Sequence, residues 1–209
     1  MWAKLCARGV DRLEQRQGTD RMERSIAQIA LFAAMIAALG VVPPITLGFG
    51  VPISAQSMGA MLAGAVLGAR AGAAAMGLFL LLVALGLPLL AGGRGGLGVF
   101  ASPTTGFALG FVPAAFVTGL VVEQVRLRSP GLRAGLGAVI GGILVLYACG
   151  AVGLSIVADK PLAEALLLVA VFIPGDLLKA AITGMLVQAL AKVRPQTLEW
   201  YQGANSVRL

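Results

Sequence analysis

Asp176 and Lys179 stand three residues apart in Phe172-Ile173-Pro174-Gly175-Asp176-Leu177-Leu178-Lys179, inside sequence apolar enough for a membrane. A carboxylate or an ammonium near the centre of a transmembrane helix costs on the order of 2.5–3.5 kcal/mol to insert. Holding a polar ligand is the default use of groups that carry such a cost. Positions i and i+3 share a helix face. The carboxylate would accept N–H groups of the ligand, and the ammonium would donate to a carbonyl or an anion. Two structural readings stand beside this one: an internal ion pair, and a first-turn Asp that complements the helix dipole. A third ionisable group, Arg94, sits in Ala91-Gly92-Gly93-Arg94-Gly95-Gly96-Leu97-Gly98. Glycines there let the backbone approach a ligand closely, and the guanidinium can fork onto a carboxylate. The alternative is a lone Arg that snorkels to the interface. The same stretch fits GxGxxG, but no βαβ unit surrounds it and no acid follows about 20 residues on, so a dinucleotide site is rejected.

Other candidates are quieter. Gln56, beside Ser54 and Ser57, offers a polar side chain at the start of an apolar run; helix capping and interhelical bonding are its structural roles. Phe79, Phe107 and Tyr147 either line a pocket or fill the core. Ala30, Ala34 and Ala38 recur every four residues, a spacing that permits close helix approach. That stripe is either internal packing or a docking face for another membrane protein.

The elements that must position these residues are helices. The chain has 209 residues, 58% hydrophobic and 12% charged, with no His. This composition excludes disorder and argues against an ordinary soluble domain. The expected fold is an all-α integral membrane protein, a compact bundle of six transmembrane helices. The spans are at about 25–42, 54–69, 71–90, 104–122, 132–154 and 174–193, given the roughly 20 residues needed to cross. The second span is short for that length. Leu162–Ile173 is apolar but too short to cross and is expected as a helix against the bundle. Residues 1–24 form a charged N-terminal segment, 25–193 the membrane domain and 194–209 a tail; no cleavable signal is recognised, so the first span is retained.

The formal net charge of +7 is explained without nucleic acid. In a six-span arrangement the N-terminal tail, Arg70, Arg126, Arg128, Arg133, Lys192, Arg194 and Arg208 share one side, and Arg94 and Lys160 the other. Both termini are therefore expected in the cytoplasm. Three apolar or glycine-rich loops, about 43–53, 91–103 and 155–173, then lie outside, and the candidate ligand residues converge at that end. Cys6 and Cys149 are expected to stay unpaired. No metal site is visible. Membrane enzymes use clustered acids, His or an activated nucleophile, so one intramembrane Asp argues against catalysis. No internal repeat of the kind that builds secondary transporters stands out.

Three separated stretches together resemble the BioY family, the biotin-specific substrate-binding (S) component of energy-coupling factor vitamin transporters. The first is Val51-Pro52-Ile53-Ser54 with Gln56-Ser57 and Met61-Leu62-Ala63-Gly64. The second is Gly86-Leu87-Pro88 through Ala91–Gly98 to Ser102-Pro103-Thr104 and Gly110-Phe111. The third is Ile173–Lys179; Tyr147 and Gly150 add to them. Thr105-Gly106-Phe107 departs from the glycine-rich turn and Tyr usual in the family, and the Trp often found after Gly150 is missing. The resemblance implies a six-helix S component of a prokaryotic cell membrane that binds biotin near the outer surface and reorients to deliver it inward. Asp176 would take the ureido N–H, Lys179 the ureido carbonyl and Arg94 the carboxylate, with the last two interchangeable. The resemblance also turns Ala30, Ala34 and Ala38 into a docking face for an EcfT-like transmembrane subunit with two ATPases. Action without that module, as a homo-oligomer, is the alternative assembly. No GxxxxGK[ST] occurs in the sequence, so energy would come from partner ATPases. No cofactor is implied.

Overall fold

Helix limits follow from breakers and caps set in long apolar runs. The computed structural model describes residues 22–46, 52–198 and 200. Expectations for residues 1–21, the middle of the 43–53 loop, the end of the C-terminal tail, and Cys6 lie outside the described residues; Cys149 is a free thiol. α1 spans Met22–Gly40. A short antiparallel pair follows, β1 (Ile45–Thr46) with β2 (Pro52–Ile53), Ile45 opposite Ile53. Then come α2 (Gln56–Leu67) and α3 (Ala69–Ala84), a 3-10 turn at Leu97–Ala101, and α4 (Thr105–Gln124). α5 (Pro130–Val157) contains a π-helical stretch at Ile140–Val145. α6 (Leu162–Ala170) and α7 (Ile173–Val193) complete the bundle.

Four helices among the described residues, α1, α4, α5 and α7, are long and apolar enough to cross a membrane. α2, at 12 residues, and α3, at 16, are shorter. At 1.5 Å per residue they reach about 18 and 24 Å, against about 30 Å of hydrocarbon. Many large side chains face outward, including Leu81, Leu85, Leu144, Ile156, Leu167 and Met185. Such an apolar exterior suits lipid, not water.

α4 lies at the centre, packed against α2, α3 and α5; α7 packs against α5 and α2. Close approach is bought with glycine at the crossings. A Cβ on Gly119 would run into the backbone of Ala69, and one on Gly64 into the carbonyl of Ala115. Between α2 and α3 the chain turns on Gly68, whose φ of 83° is left-handed. Glu123, at the end of α4, accepts the Ala69 N–H at 2.8 Å and so satisfies one orphan donor of α3. Ser129 caps α5 by accepting the Leu132 N–H at 3.3 Å, with Pro130 as its first residue. Gln188 of α7 takes both the Ser129 hydroxyl (2.7 Å) and the Gly131 N–H (3.0 Å). The same end of the bundle holds Arg133, 6% exposed, whose guanidinium lies 5.7 Å from the Trp200 ring centroid. The Trp200 indole in turn donates to Ala65 O at 3.0 Å.

The π stretch of α5 is packed from both sides. Gly141 lies against Ala114 O and the Thr118 hydroxyl of α4, and Gly142 against Met61 of α2. The Thr118 hydroxyl donates to Gly137 O at 3.1 Å. This widened turn ends at Val145, just before Leu146 and Tyr147.

Candidate functional site

At the end of the bundle opposite Arg133 and Trp200 there is a cavity of about 610 Å³, including the space at its mouth. α2, α4, α5, α7 and the turn that carries Arg94 supply its walls. The floor is a network around Asp176, which is 5% exposed. Its place in the first turn of α7 follows from Pro174, pre-set for a helix start. Oδ1 of Asp176 accepts from Lys179 Nζ at 2.7 Å and from the Ser57 hydroxyl at 3.2 Å. Oδ2 accepts from the Tyr147 hydroxyl at 2.8 Å. An ionised carboxylate has about four acceptor positions, so Oδ2 keeps capacity for one more N–H. Lys179 Nζ also donates to Ser54 O at 2.7 Å and to the Ser57 hydroxyl at 2.9 Å. Its three N–H groups are thus matched by three oxygens, and β2 leads directly into the Ser54 carbonyl that takes one of them. The ligand and ion-pair readings of Asp176 and Lys179 therefore meet in one place, since the pair is internal and lines a cavity, and Asp176 also lies in the first helical turn that the dipole reading requires.

The walls are aromatic and aliphatic. Phe172 meets Phe107 edge-on, with centroids 6.0 Å apart, and Tyr147 at 6.4 Å. Gly150 makes room for Phe107, since a Cβ there would sit 2.5 Å from its ring. Phe111, Leu90 and Leu146 add apolar surface.

Arg94 closes the rim. Its Nε donates to Ala91 O at 3.2 Å and one terminal nitrogen donates to the Thr104 hydroxyl at 3.1 Å. Ser102 and Thr104 share a further hydrogen bond of 2.8 Å. Burial lowers the pKa of the guanidinium from its ordinary value by desolvation; an arginine remains charged even so. Its remaining N–H donors suit an anion. The surrounding glycines serve the turn itself. Gly92, Gly93 and Gly96 have φ of 80°, 70° and 81°, a region L-residues rarely adopt. Gly95 lets the chain pass against the Leu87 carbonyl, where a Cβ would lie 2.7 Å from the carbonyl carbon. A Cβ on Gly92, Gly93 or Gly96 would meet no other atom within 4 Å, so at these three positions it is the left-handed φ that calls for glycine.

Of the residues singled out from sequence, Asp176, Lys179, Arg94, Gln56, Tyr147 and Phe107 all line this cavity. Phe79 does not: it is 0% exposed on α3, inside the main core. Phe172, Thr104, Phe111 and Leu146 line the cavity without having been singled out. Ala30, Ala34 and Ala38 lie on the exposed side of α1, whereas Ala33 and Ile36 are buried against the bundle. Among the described residues no group of three or more His, Cys, Asp or Glu comes together.

An apolar helical exterior around a cavity with a charged floor and an apolar wall defines a helical membrane protein equipped to hold a small molecule of mixed polarity. The BioY family model matches residues 13–196, and the chain belongs to that family. It is 53% identical to the "Biotin transporter BioY" of Rhodobacter capsulatus over 186 residues, 85% of this chain and 98% of that protein. It is 52% identical to the protein of the same description from Rhizobium etli over 173 residues, 80% of this chain and 92% of that one. A crystal structure described as the S-component for biotin from an ECF-type ABC transporter superposes with a TM-score of 0.77 at 32% identity, covering 83% of this chain and 93% of that one.

Proposed function

We propose that this protein is the biotin-binding S component of a vitamin uptake system in a prokaryotic cell membrane. The observation that carries the reading is a buried carboxylate with acceptor capacity left, set under an apolar cavity, in a chain of the BioY family. Biotin carries two ureido N–H donors, a ureido carbonyl, an apolar bicycle and a carboxylate tail. Asp176 Oδ2 takes a ureido N–H. Lys179 turns to the ureido carbonyl by giving up one of its serine partners. Phe107, Phe172 and Tyr147 flank the bicycle, and Arg94 at the rim takes the carboxylate.

All of α1, α2, α3, α4, α5 and α7 cross the membrane in this reading, and α6, nine residues long, does not. Both termini are cytoplasmic. Arg133, Lys192 and the α4–α5 loop with Arg126 and Arg128 support this, because they belong to the end away from the cavity. The site then faces outward. Exposure of the Ala30, Ala34 and Ala38 stripe supports its use as the docking face for an EcfT-like subunit that brings two ATPases. Assembly as a homo-oligomer is the other arrangement compatible with this chain. The relatives are named as transporters, and an enzymatic role is not assigned.

Arg94→Ala separates the two ends of the ligand. Charge-assisted hydrogen bonds contribute about 1.5–3 kcal/mol, so biotin should bind about 10- to 100-fold more weakly to the variant. Biotin methyl ester, which lacks the anion, should bind both proteins alike. Titration calorimetry of both ligands on purified wild type and variant checks this. Equal weakening of acid and ester would remove the carboxylate role.

A further inference from the structure

Gln56 lines the cavity but has no N–H left for a ligand. It is 1% exposed. Its Nε2 donates to Leu89 O at 2.9 Å and to Ile36 O at 3.3 Å, and its Oε1 accepts the Ala91 N–H at 2.8 Å. A primary amide has two N–H donors, so both are engaged. Three segments meet at this one side chain: α1 through Ile36, α2 that bears it, and the turn leading to Arg94.

That turn is short and stiff. Leu90 N–H donates to Arg94 O at 3.0 Å, and the N–H groups of Gly93 and Arg94 return to Leu90 O at 2.9 and 3.2 Å. Ala91 sits inside it, with its N–H on Gln56 and its carbonyl on Arg94 Nε at 3.2 Å. The guanidinium is therefore held by a carbonyl whose two preceding peptide groups are held by Gln56. On the α1 side Gly40 is fitted to the same junction: a Cβ there would strike Leu89 O and lie 2.7 Å from Gln56 Nε2.

We propose that Gln56 is a positioning residue which sets the Arg94 guanidinium for the ligand carboxylate by pinning Leu89 and Ala91 to α1 and α2. This rests on the reading of Arg94 as the carboxylate partner. Gln56 does not touch the ligand. Loss of its amide leaves three backbone groups without their partner, and loosens the turn before it disturbs Asp176.

The test uses Gln56→Met, close in shape but without the amide, and Gly40→Ala, which keeps the amide but presses on both Leu89 O and Gln56 Nε2. Two readouts are taken on purified full-length protein. One is the ratio of biotin to biotin methyl ester affinity; the other is amide hydrogen exchange over residues 89–96. In both variants the affinity ratio should fall toward that of Arg94→Ala, ester affinity should stay within about threefold, and exchange over 89–96 should speed by about tenfold. Acid and ester weakening together, or exchange unchanged in folded variants, would overturn the proposal. A wild type that does not distinguish acid from ester would instead remove the carboxylate role of Arg94. Exchange would then decide alone whether Gln56 pins the turn.

Discussion

Asp176→Asn is expected to lower biotin affinity by roughly 30-fold to several thousand-fold, because breaking one partner of a buried, hydrogen-bonded charge pair costs about 2–5 kcal/mol. In wild type the carboxylate serves Lys179, Ser57 and Tyr147 together. An amide of the same shape replaces one acceptor oxygen by a donor. Whichever way it turns, its NH2 faces the Lys179 ammonium or the Tyr147 hydroxyl. The variant also leaves the ammonium, whose side chain is 17% exposed, without its counter-charge. With the NH2 on the Tyr147 side, the ligand N–H also loses the oxygen that should receive it. Titration calorimetry measures the change, with size-exclusion profiles of both proteins showing that the bundle is intact. Affinity within about threefold of wild type would return the pair to a purely structural role.

The second large effect is expected far from the cavity. Ala34→Trp should abolish module-dependent biotin uptake and leave biotin affinity of the isolated protein within about threefold. Ala30, Ala34 and Ala38 are exposed on α1 and spaced so that a partner helix can approach its backbone. An indole in the middle of that stripe holds the partner away. It disturbs nothing within the bundle, since the side of α1 that packs inward carries Ala33, Ile36 and Gly40 instead. Co-purification with the coupling subunit and uptake of labelled biotin are the measurements. Intact complex and intact uptake would remove the docking role.

How much of this was legible in the sequence differs by residue type. Helices stood out because apolar runs are long and their ends carry Gly, Pro or charge; α6 was visible as the run too short to cross. The polar part of the site was visible because a charge in an apolar sequence has contrast. Asp176, Lys179 and Arg94 needed no fold to be noticed. Phe172, Phe111 and Leu146 had no such contrast: one more apolar residue in an apolar run says nothing about which face meets a cavity. Phe79 shows the converse, an aromatic singled out from its type that the fold spends on the core. The π stretch at Ile140–Val145 was not legible either. It coincides with Gly141 and Gly142, whose packing partners Thr118 and Met61 come from other helices. The β1–β2 pair was hidden for a similar reason, since a two-residue ladder leaves no periodicity. The glycines around Arg94 were legible as a group, but not that Gly92, Gly93 and Gly96 each take a left-handed φ while Gly95 packs on the Leu87 carbonyl.

The most direct test of the central claim is an equilibrium titration of the purified, detergent-solubilised wild-type protein with biotin, run beside thiamine and riboflavin. Saturable binding of biotin, one molecule per chain, with no saturable binding of the other two vitamins, is the predicted result. A monodisperse, folded protein that fails to bind biotin, or that binds thiamine or riboflavin instead, would contradict it.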